Sequence, residues 1–272
     1  MLDDEDCHKP PRIPDRRNPV LCPKGYFWAG AADKPDCISE APYTNIDDRV
    51  DVGIIMGVSG AAGGLITPGG LLQGVNVGYE QVFDLYDFEV ASFTYGGGGA
   101  YVGAFTDYPL IFKKGWRCPL TLGGNGYIGV VTGWKNYPKP GIDNYAGPFR
   151  TYSGGATVPG VGPIPLILGG QAFGSLDQSI RSPDGKMVGG AVSVGSGNDR
   201  LPFGGSVMDN DYSQPFWRFD FHGTRGGKPL PPTQQETDQF VRMVQLALQG
   251  SSPTIAIAAE VVIRHNARRW RN

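Results

Sequence analysis

The chain has 272 residues, a net charge of −2, 40% hydrophobic residues and only 18% charged residues. It is long enough to bury a full core, and its charge balance excludes a broad basic surface, so we expect no nucleic-acid partner. Its most apolar run, residues 255–259, ends at Glu260, far short of the ~20 apolar residues of a membrane-spanning helix, so none is predicted.

The first 50 residues are predicted to be a proline-rich arm rather than a domain. Seven prolines in this segment remove backbone donors and restrict φ. Tyr26, Phe27 and Trp28 form its one apolar cluster, which we expect to dock on the main body or on a neighbouring subunit. We therefore predict self-association or a stable protein partner. The acidic start lacks the pattern of a signal peptide, which leaves a cytoplasmic location or export by another route open.

The four cysteines are Cys7, Cys22, Cys37 and Cys118. They contain no C-x-x-C pair, and no histidine stands at the spacing of a zinc finger, so no structural zinc site and no cofactor are predicted. Disulfides and free thiols remain equally open, because the loop context favours disulfides while the missing signal peptide opposes them.

Residues 51–227 are predicted to form a glycine-rich β domain, since 39 of the 42 glycines lie between Gly53 and Gly227. We expect all-β structure, an antiparallel barrel or sandwich of at least eight strands, with a C-terminal helix. Alternating glycines are predicted to lie close to another element. The clearest strand, 75–85, has two faces: Val75, Val77, Tyr79, Phe83 and Leu85 on one, and Asn76, Gly78, Glu80 and Asp84 on the other.

Further strands are predicted from short apolar runs separated by turn residues. The run Gly96–Gly99 is predicted to join two of them, 89–95 and 100–105. The run Ser59–Gly64 has only a superficial likeness to a phosphate-binding loop, because no Lys-Ser/Thr follows it. The remaining strands are expected around 54–58, 127–132, 149–153, 166–173, 187–194, 204–208 and 216–221.

Residues 228–272 are predicted to hold a helix and a basic tail. Thr233 and Glu236 form a capping box, and Gly250 is placed to end the helix near 249. After Pro253, residues 254–263 are either a last strand or a buried helix. The arginine-rich end is a solvated tail or a contact for phosphates or an acidic partner.

Candidate site residues are few, and an enzyme is not favoured. There is no G-x-S-x-G elbow, and of the three histidines only His222 follows a strand. Asp84 and Asp87 are turn formers or catalytic carboxylates. Asp209 and Asp211 are a polar turn or weak calcium ligands. Rings near strand ends either line a binding mouth or plug the barrel; these are Trp116, Trp134, Tyr137, Tyr145 and Trp217.

Four segments carry a resemblance: Val77–Phe88, Gly96–Gly99, Tyr145–Phe149, and the stretch from Ser182 to Gly205. Together they resemble glycine-rich β domains of large secreted bacterial proteins, including Rhs-type polymorphic toxins, over residues 52–222. The resemblance implies an exported or delivered effector module. The Rhs repeats themselves are absent, and no catalytic residues carry over.

Three functions stay open on this basis. The first is a non-enzymatic binding or assembly module, possibly of a bacterial effector system. The second is a hydrolase for glycans or lipids, with carboxylates or His222 at the barrel mouth. The third is a membrane-inserting barrel, which the glycine-rich alternation permits but the 23 prolines and the missing signal peptide oppose.

Overall fold

The computed structural model describes residues 26–28, 37–39, 49–66, 72–103, 121–137, 141–158, 166–197, 203–225 and 228–271. The chain divides into two compact units, Met1–Asp48 and Arg49–Asn272. In the first, β1 (Tyr26–Trp28) pairs antiparallel with β2 (Cys37–Ser39). Cys7, Cys22 and Cys118 lie outside the described residues. The disulfide state and the docking of Tyr26–Trp28 therefore stay predictions.

The second unit contains a closed antiparallel barrel of eight strands, which confirms the predicted fold class and selects the barrel over the sandwich. Around the barrel the order is β3-β4-β5-β10-β7-β8-β9-β6, and β6 closes on β3. The strands are β3 (Gly53–Ile66), β4 (Leu72–Asp84), β5 (Glu89–Gly103), β6 (Thr121–Thr132), β7 (Gly147–Val158), β8 (Leu166–Leu176), β9 (Pro183–Gly197) and β10 (Phe203–Tyr212).

Two Greek keys make up this barrel. In the first, β3 to β5 form a meander and β6 returns to pair with β3; in the second, β7 to β9 form a meander and β10 returns to pair with β7. The keys join where β5 pairs with β10 and β6 with β9. A short strand, β11 (Trp217–Asp220), continues beside the start of β5, and β12 (Thr224–Arg225) pairs with β13 (Lys228–Pro229).

The register is staggered by ten residues around the barrel. Glu80 pairs directly with Phe93 of β5. When the paired residues are followed from Glu80 in the other direction, through β3, β6, β9, β8, β7 and β10, they lead to Gly103 of β5, which is ten residues after Phe93. Such stagger requires strands that tilt by roughly 35–45° from the barrel axis. An eight-stranded barrel of this kind has an interior just wide enough for side chains or one small ligand.

Two glycine runs lie inside strands. Gly96–Gly99 is the middle of β5, paired with β4 on one side and β10 on the other, so the prediction that it joins two strands is wrong. Ser59–Gly64 similarly lies within β3. Hydrogen bonding to two neighbours holds these segments extended although glycine has a weak intrinsic preference for strands.

Aromatic side chains fill one end of the barrel, hereafter the floor. The β6–β7 connection closes it with two 3-10 helices, Trp134–Asn136 and Ile142–Tyr145. Inward glycines seat some of the rings: a Cβ on Gly57 would collide with the ring of Tyr127, and one on Gly78 with the ring of Tyr95. The predicted close approach of glycines is confirmed at these positions.

Two helices pack on the outside of the barrel. Helix α1 (Gln234–Ala247) begins at the predicted capping box, in which Thr233 accepts from the Glu236 backbone and Glu236 accepts from the Thr233 backbone. Residues 254–263 are helical and belong to α2 (Pro253–Arg271), which also includes the basic tail. Neither described helix is long and apolar enough to cross a membrane.

The helices cover the outer face of the barrel near the β4–β5 hairpin. Phe240 packs there against Phe88 and Phe221, with ring centroids 5.4 and 4.9 Å apart. The buried Asn266 side chain bonds both backbone groups of Val50 and the carbonyl of Leu85, which ties α2 to the hairpin. The buried residues of this second core are Ile54, Phe83, Leu85, Phe88, Val90, Phe221, Phe240, Val241, Val244, Leu248, Ala259, Ile263 and Ala267.

Candidate functional site

The glycine half, the set of strand segments at the end of the barrel opposite the floor, contains no charged residue. It consists of residues 56–66, 72–79, 94–103, 121–130, 151–158, 166–174, 188–197 and 203–208 of the eight strands. None of these segments contains Asp, Glu, Lys, Arg or His, although charged residues make up 18% of the chain. Every charged side chain of the barrel strands therefore lies at the level of the floor or at its border.

The outer face of the glycine half is apolar and exposed. Eleven large apolar side chains on seven of the eight strands are 39–64% exposed. The exception is β5, whose outward positions from 94 to 100 are threonine, glycine and alanine. The eleven are Val58, Val75, Val77, Tyr79, Val130, Tyr152, Leu168, Val188, Val192, Val194 and Val207. Monomeric water-soluble proteins rarely expose a continuous apolar surface of this kind, so the face indicates a site of interaction.

The rings of Tyr95, Tyr127 and Phe173 lie on the inner face of the same strands next to the floor, and beyond them the inner face is mostly small or polar. On β4, Asn76 and Gly78 alternate with the exposed valines and point into the barrel. Elsewhere Ser153 and Ser206 share a hydrogen bond of 2.6 Å across β7 and β10. The glycine half is thus apolar outside and polar inside, which is the reverse of a strand in a water-soluble sheet and the arrangement of strands that face lipid.

Exposed aromatic rings mark the border between the glycine half and the floor. Tyr79 packs against Phe216 with ring centroids 5.9 Å apart, and Phe216 is 61% exposed. Trp217 and Phe219 follow on β11 and are also exposed. Tyrosine and tryptophan have an apolar body and a polar tip, so they suit a boundary between apolar and aqueous surroundings.

A buried carboxyl group lies inside the barrel at this border. Glu80 is 1% exposed, and its Oε2 accepts hydrogen bonds from the hydroxyls of Tyr127 at 2.5 Å and Tyr212 at 3.2 Å. The Tyr127 oxygen also lies 3.2 Å from that of Tyr95. The other carboxyl oxygen of Glu80, Oε1, and the hydroxyl of Tyr145 are both buried and form no hydrogen bond of normal geometry in the described structure, but the Tyr145 hydroxyl is close enough to Glu80 to lower the pKa of the carboxyl group.

The surroundings of Glu80 control its protonation. Burial raises its pKa from the ordinary 4.5 to about 7, although the tyrosine hydroxyls lower it by donating to the carboxylate. Burial also raises the pKa values of Tyr127, Tyr145 and Tyr212, which stay neutral. The cluster can therefore take up or release a single proton near neutral pH.

Of the aromatic residues predicted to bind a ligand, two are brought together, and these two lie inside the floor rather than at an open mouth. Trp134 and Tyr145 are fully buried in the floor, with ring centroids 6.2 Å apart, as the plug interpretation describes. Tyr137 packs at the edge of the same cluster. Trp217 lies at the exposed border, and Trp116 falls outside the described residues. A binding role for these rings stays a prediction.

The weak calcium candidates are paired with arginine. Asp209 receives two hydrogen bonds from Arg150, at 2.7 and 2.8 Å, and Asp211 forms an ion pair with Arg181. Within the described parts of the chain, no three His, Cys, Asp or Glu side chains are grouped so that they could hold a metal ion. Calcium ligation by this pair is a prediction that the geometry does not favour.

The candidates for hydrolytic chemistry hold the floor together. Asp84 accepts from the backbone of Tyr86 and Asp87 and so shapes the β4–β5 turn. His222 Nε2 lies 3.4 Å from Glu89 Oε1, and this contact raises the pKa of the imidazole. Glu89 also binds Arg218 at 2.7 Å and the backbone N–H of Ile142 at 2.8 Å, which anchors the floor to β5.

Sequence reasoning did not single out Glu80 as a site residue. The available signal was its position, because it is a carboxylate that follows Asn76 and Gly78 on the side of β4 opposite Val75 and Val77. The tyrosines that surround it come from β5, β6, β10 and the floor, which are distant in sequence. Their convergence could not be read from any local pattern.

No family model, no curated protein and no solved structure matches the chain. The resemblance to glycine-rich domains of secreted bacterial proteins therefore stays a prediction. Two features of the barrel bear on its function: the apolar outer face of the glycine half and the polar interior with Glu80 at its base.

Proposed function

We propose that the protein is a non-enzymatic membrane-binding module whose glycine half enters a lipid bilayer. The observation that carries this proposal is the uncharged, exposed apolar surface on seven of the eight strands. Transfer of such side chains from water to hydrocarbon is favourable by about 25 cal/mol for each Å² of apolar surface. Lipid contact would leave no charged side chain of these strands in the hydrocarbon.

The distribution of the surface favours lipid over a protein partner. A protein partner with one docking face covers one side of a barrel and leaves the other side in water. Here the exposed side chains are spread round the barrel, from Val58 and Val77 in the first Greek key to Leu168, Val192 and Val207 in the second. A bilayer covers all sides of an inserted barrel at once.

The dimensions and the inner face also fit lipid. A strand that crosses a bilayer has about 9–11 residues at a tilt of about 45°, and seven of the eight uncharged segments have 8 to 11 residues. Beyond the rings next to the floor, the inward residues are mostly small or polar, as in barrels that face lipid. The exposed rings of Tyr79 and Trp217 lie at the one border of the apolar surface that is described, where interfacial aromatics are expected.

This proposal combines the first and third functions expected from the sequence. Delivery as part of a bacterial effector system stays a prediction. The alternative is that the outer face of the glycine half binds a second copy of the chain instead of lipid. Vesicle binding and oligomeric state, measured on the same variants, distinguish the two. A hydrolase has no specific support, because Asp84 and His222 are engaged in structural contacts.

Flotation with phosphatidylcholine vesicles tests the proposal. The double variant Val77→Lys/Val192→Lys places two charges on the outer face, where a lysine at mid-bilayer depth costs ~2–4 kcal/mol. Both side chains are more than 60% exposed, so the fold should tolerate the changes in water. Ile180→Lys is the matched control, because Ile180 is 71% exposed but lies in the β8–β9 turn outside the glycine half.

We expect the wild type and Ile180→Lys to float with the vesicles and the double variant to remain at the bottom of the gradient. Light scattering in the absence of lipid measures the oligomeric state and so tests whether the surface binds a second copy of the chain. A wild type that ignores vesicles, or a double variant that floats equally well, would overturn the proposal. If the wild type ignores vesicles but forms an oligomer that the double variant loses, the surface instead binds a second copy of the chain.

A further inference from the structure

The hairpin of helices α1 and α2 carries its charges at one end. Residues 243–259, which include the end of α1, the turn and the start of α2, contain no charged side chain. The charged residues of the two helices all lie outside this stretch, up to Arg242 or from Glu260 onward. Residues 243–259 are hereafter the helical tip, and the rest of α1 and α2 is the helical base.

The helical tip leaves apolar side chains in water. Leu246 is 62% exposed, Ile257 is 63% exposed and Ile255 is 37% exposed. On the side that faces the barrel, Leu248 and Ala259 are buried in the second core. One side of the tip is therefore fixed to the protein, while the other side is an exposed apolar surface of the kind that indicates an interaction.

The helical base packs at the β4–β5 hairpin. Trp270, near the end of α2, lies with its ring centroid 5.8 Å from that of Phe88. The two helices are antiparallel, and the base of α2 is bonded to the base of α1 where Arg264 donates to Asp238 at 2.7 Å. The helical tip is therefore the end of the pair that lies farthest from the β4–β5 turn.

The helices extend from this turn to the edge of the glycine half. Met56 and Ile128 pair across β3 and β6, belong to the glycine half and pack against the second core. Asn266 is held at the hairpin by the Leu85 carbonyl, and α2 runs about 20 Å from Asn266 back to its first residue. Along the strands, Leu85 is only about 13 Å from the level of Met56.

The exposed apolar surfaces of the barrel and of the helices therefore adjoin each other. Val58, the next outward residue of β3 after Met56, is 58% exposed. In both elements the charged residues lie toward the β4–β5 hairpin and the uncharged residues lie away from it. A protein partner does not require two separate elements to divide their charges in the same direction, whereas a lipid bilayer does, because it excludes charge from one side of a plane.

We propose that the helical tip enters the same lipid bilayer as the glycine half and forms a second apolar contact beside the barrel. This inference rests on the proposed function. Neither described helix is long and apolar enough to cross a membrane, so the tip lies in the boundary between headgroups and acyl chains. Apolar helix surfaces at that boundary are buried by roughly 5–10 Å. The helical base, with its arginines, remains in water.

Photocrosslinking on phosphatidylcholine vesicles tests which molecule the tip contacts. The benzophenone amino acid p-benzoylphenylalanine would replace Ile257 in the full chain, and mass spectrometry after irradiation would identify the adduct. The same probe at Val77 reports on the glycine half. The matched control is Gln239, which is exposed on the base of α1. We expect lipid adducts at positions 77 and 257 and none at 239.

The outcomes separate this inference from the proposed function. A lipid adduct at position 77 without one at 257 would overturn the contact of the tip and leave the proposed function standing. Lipid adducts at neither position would overturn both, and an adduct at 257 alone would overturn joint entry with the barrel. An adduct between position 257 and a second copy of the chain would show that the tip binds protein instead of lipid.

Vesicle affinity gives an independent measurement. Leu246→Lys/Ile257→Lys places two charges on the tip and should weaken binding to neutral phosphatidylcholine vesicles by about tenfold, because charged side chains are unfavourable at the edge of the hydrocarbon. The control Gln235→Lys/Gln239→Lys adds the same charge at exposed positions of the helical base and should bind as the wild type does. Equal affinities of the two double variants would contradict the proposal.

Discussion

The two halves of the barrel share the same eight strands but differ in what covers them. On the outer face of β4, Phe83 is 1% exposed beneath the helices, whereas Val77, six residues earlier on the same face, is 64% exposed. Inside the barrel, rings pack in the floor, while glycine, serine and asparagine line the other half. The same alternation of side chains therefore builds a two-sided core at one end and an uncovered apolar surface at the other.

This difference implies that the stability of the isolated protein resides in the floor and the helices. Burial of side chains on both faces of the strands stabilises that end of the barrel. In the glycine half less apolar surface is buried, so the hydrogen bonds between strands are the main interactions that oppose the loss of chain entropy. Because the outer side chains of the glycine half are exposed in water, an apolar environment should stabilise this half.

Removing a large side chain at two levels of β4 should give the largest contrast. Phe83→Ala should lower the free energy of unfolding by about 3–5 kcal/mol, because it leaves a cavity between the sheet and the helices. Val77→Ala should change it by no more than about 0.5 kcal/mol, since the side chain is already in water. Urea denaturation measures both. Similar losses in the two variants would mean that the glycine half is covered in solution.

The pH dependence of stability should show the titration of Glu80, which lies at the border between the two halves. The pKa of Glu80 in the folded protein is about 7, above its ordinary 4.5. The protonated carboxyl group therefore contributes stability that is fully present below pH 4.5 and is lost as the pH rises through 7. At 1.36 kcal/mol per pKa unit, the loss is on the order of 3 kcal/mol.

Glu80→Gln should remove this part of the pH dependence and make the protein more stable than the wild type at pH 8.5. The smaller decline due to Asp87, whose burial raises its pKa to about 6, should remain in the variant. Glu260→Gln serves as the control with an unchanged profile. Parallel curves for the wild type and Glu80→Gln in denaturation between pH 5 and 8.5 would show that Glu80 titrates normally.

Valine substitutions at inward and outward glycines should give the smallest effect of the three. Gly78→Val should destabilise by ~1–3 kcal/mol, because its side chain would overlap the ring of Tyr95. Gly60→Val is the matched control, since a Cβ there would meet only the Gly123 carbonyl, at 4.0 Å. Its effect should stay within about 0.5 kcal/mol. If both variants have the melting temperature of the wild type, the inward glycines are not required to make room for the rings.

Several features of this protein were determined by the sequence alone. Period-two alternation and turn residues predict antiparallel strands, and the capping box at Thr233 and Glu236 predicts the start of α1, because both signals depend on neighbours within a few residues. The division of β4 into a valine face and a face with Asn76, Gly78 and Glu80 was equally visible. Local preferences are sufficient for the type of these particular elements.

Only the tertiary structure decided which face points inward and what surrounds it. An apolar face is ordinarily assigned to the core, but here the narrow interior admits small residues and a few rings, so Val75 and Val77 point outward. Gly96–Gly99 is read locally as a break, yet pairing with two neighbours keeps it in a strand. The environment of Glu80 depends on tyrosines from other strands, and such convergence is set by barrel closure rather than by any local pattern.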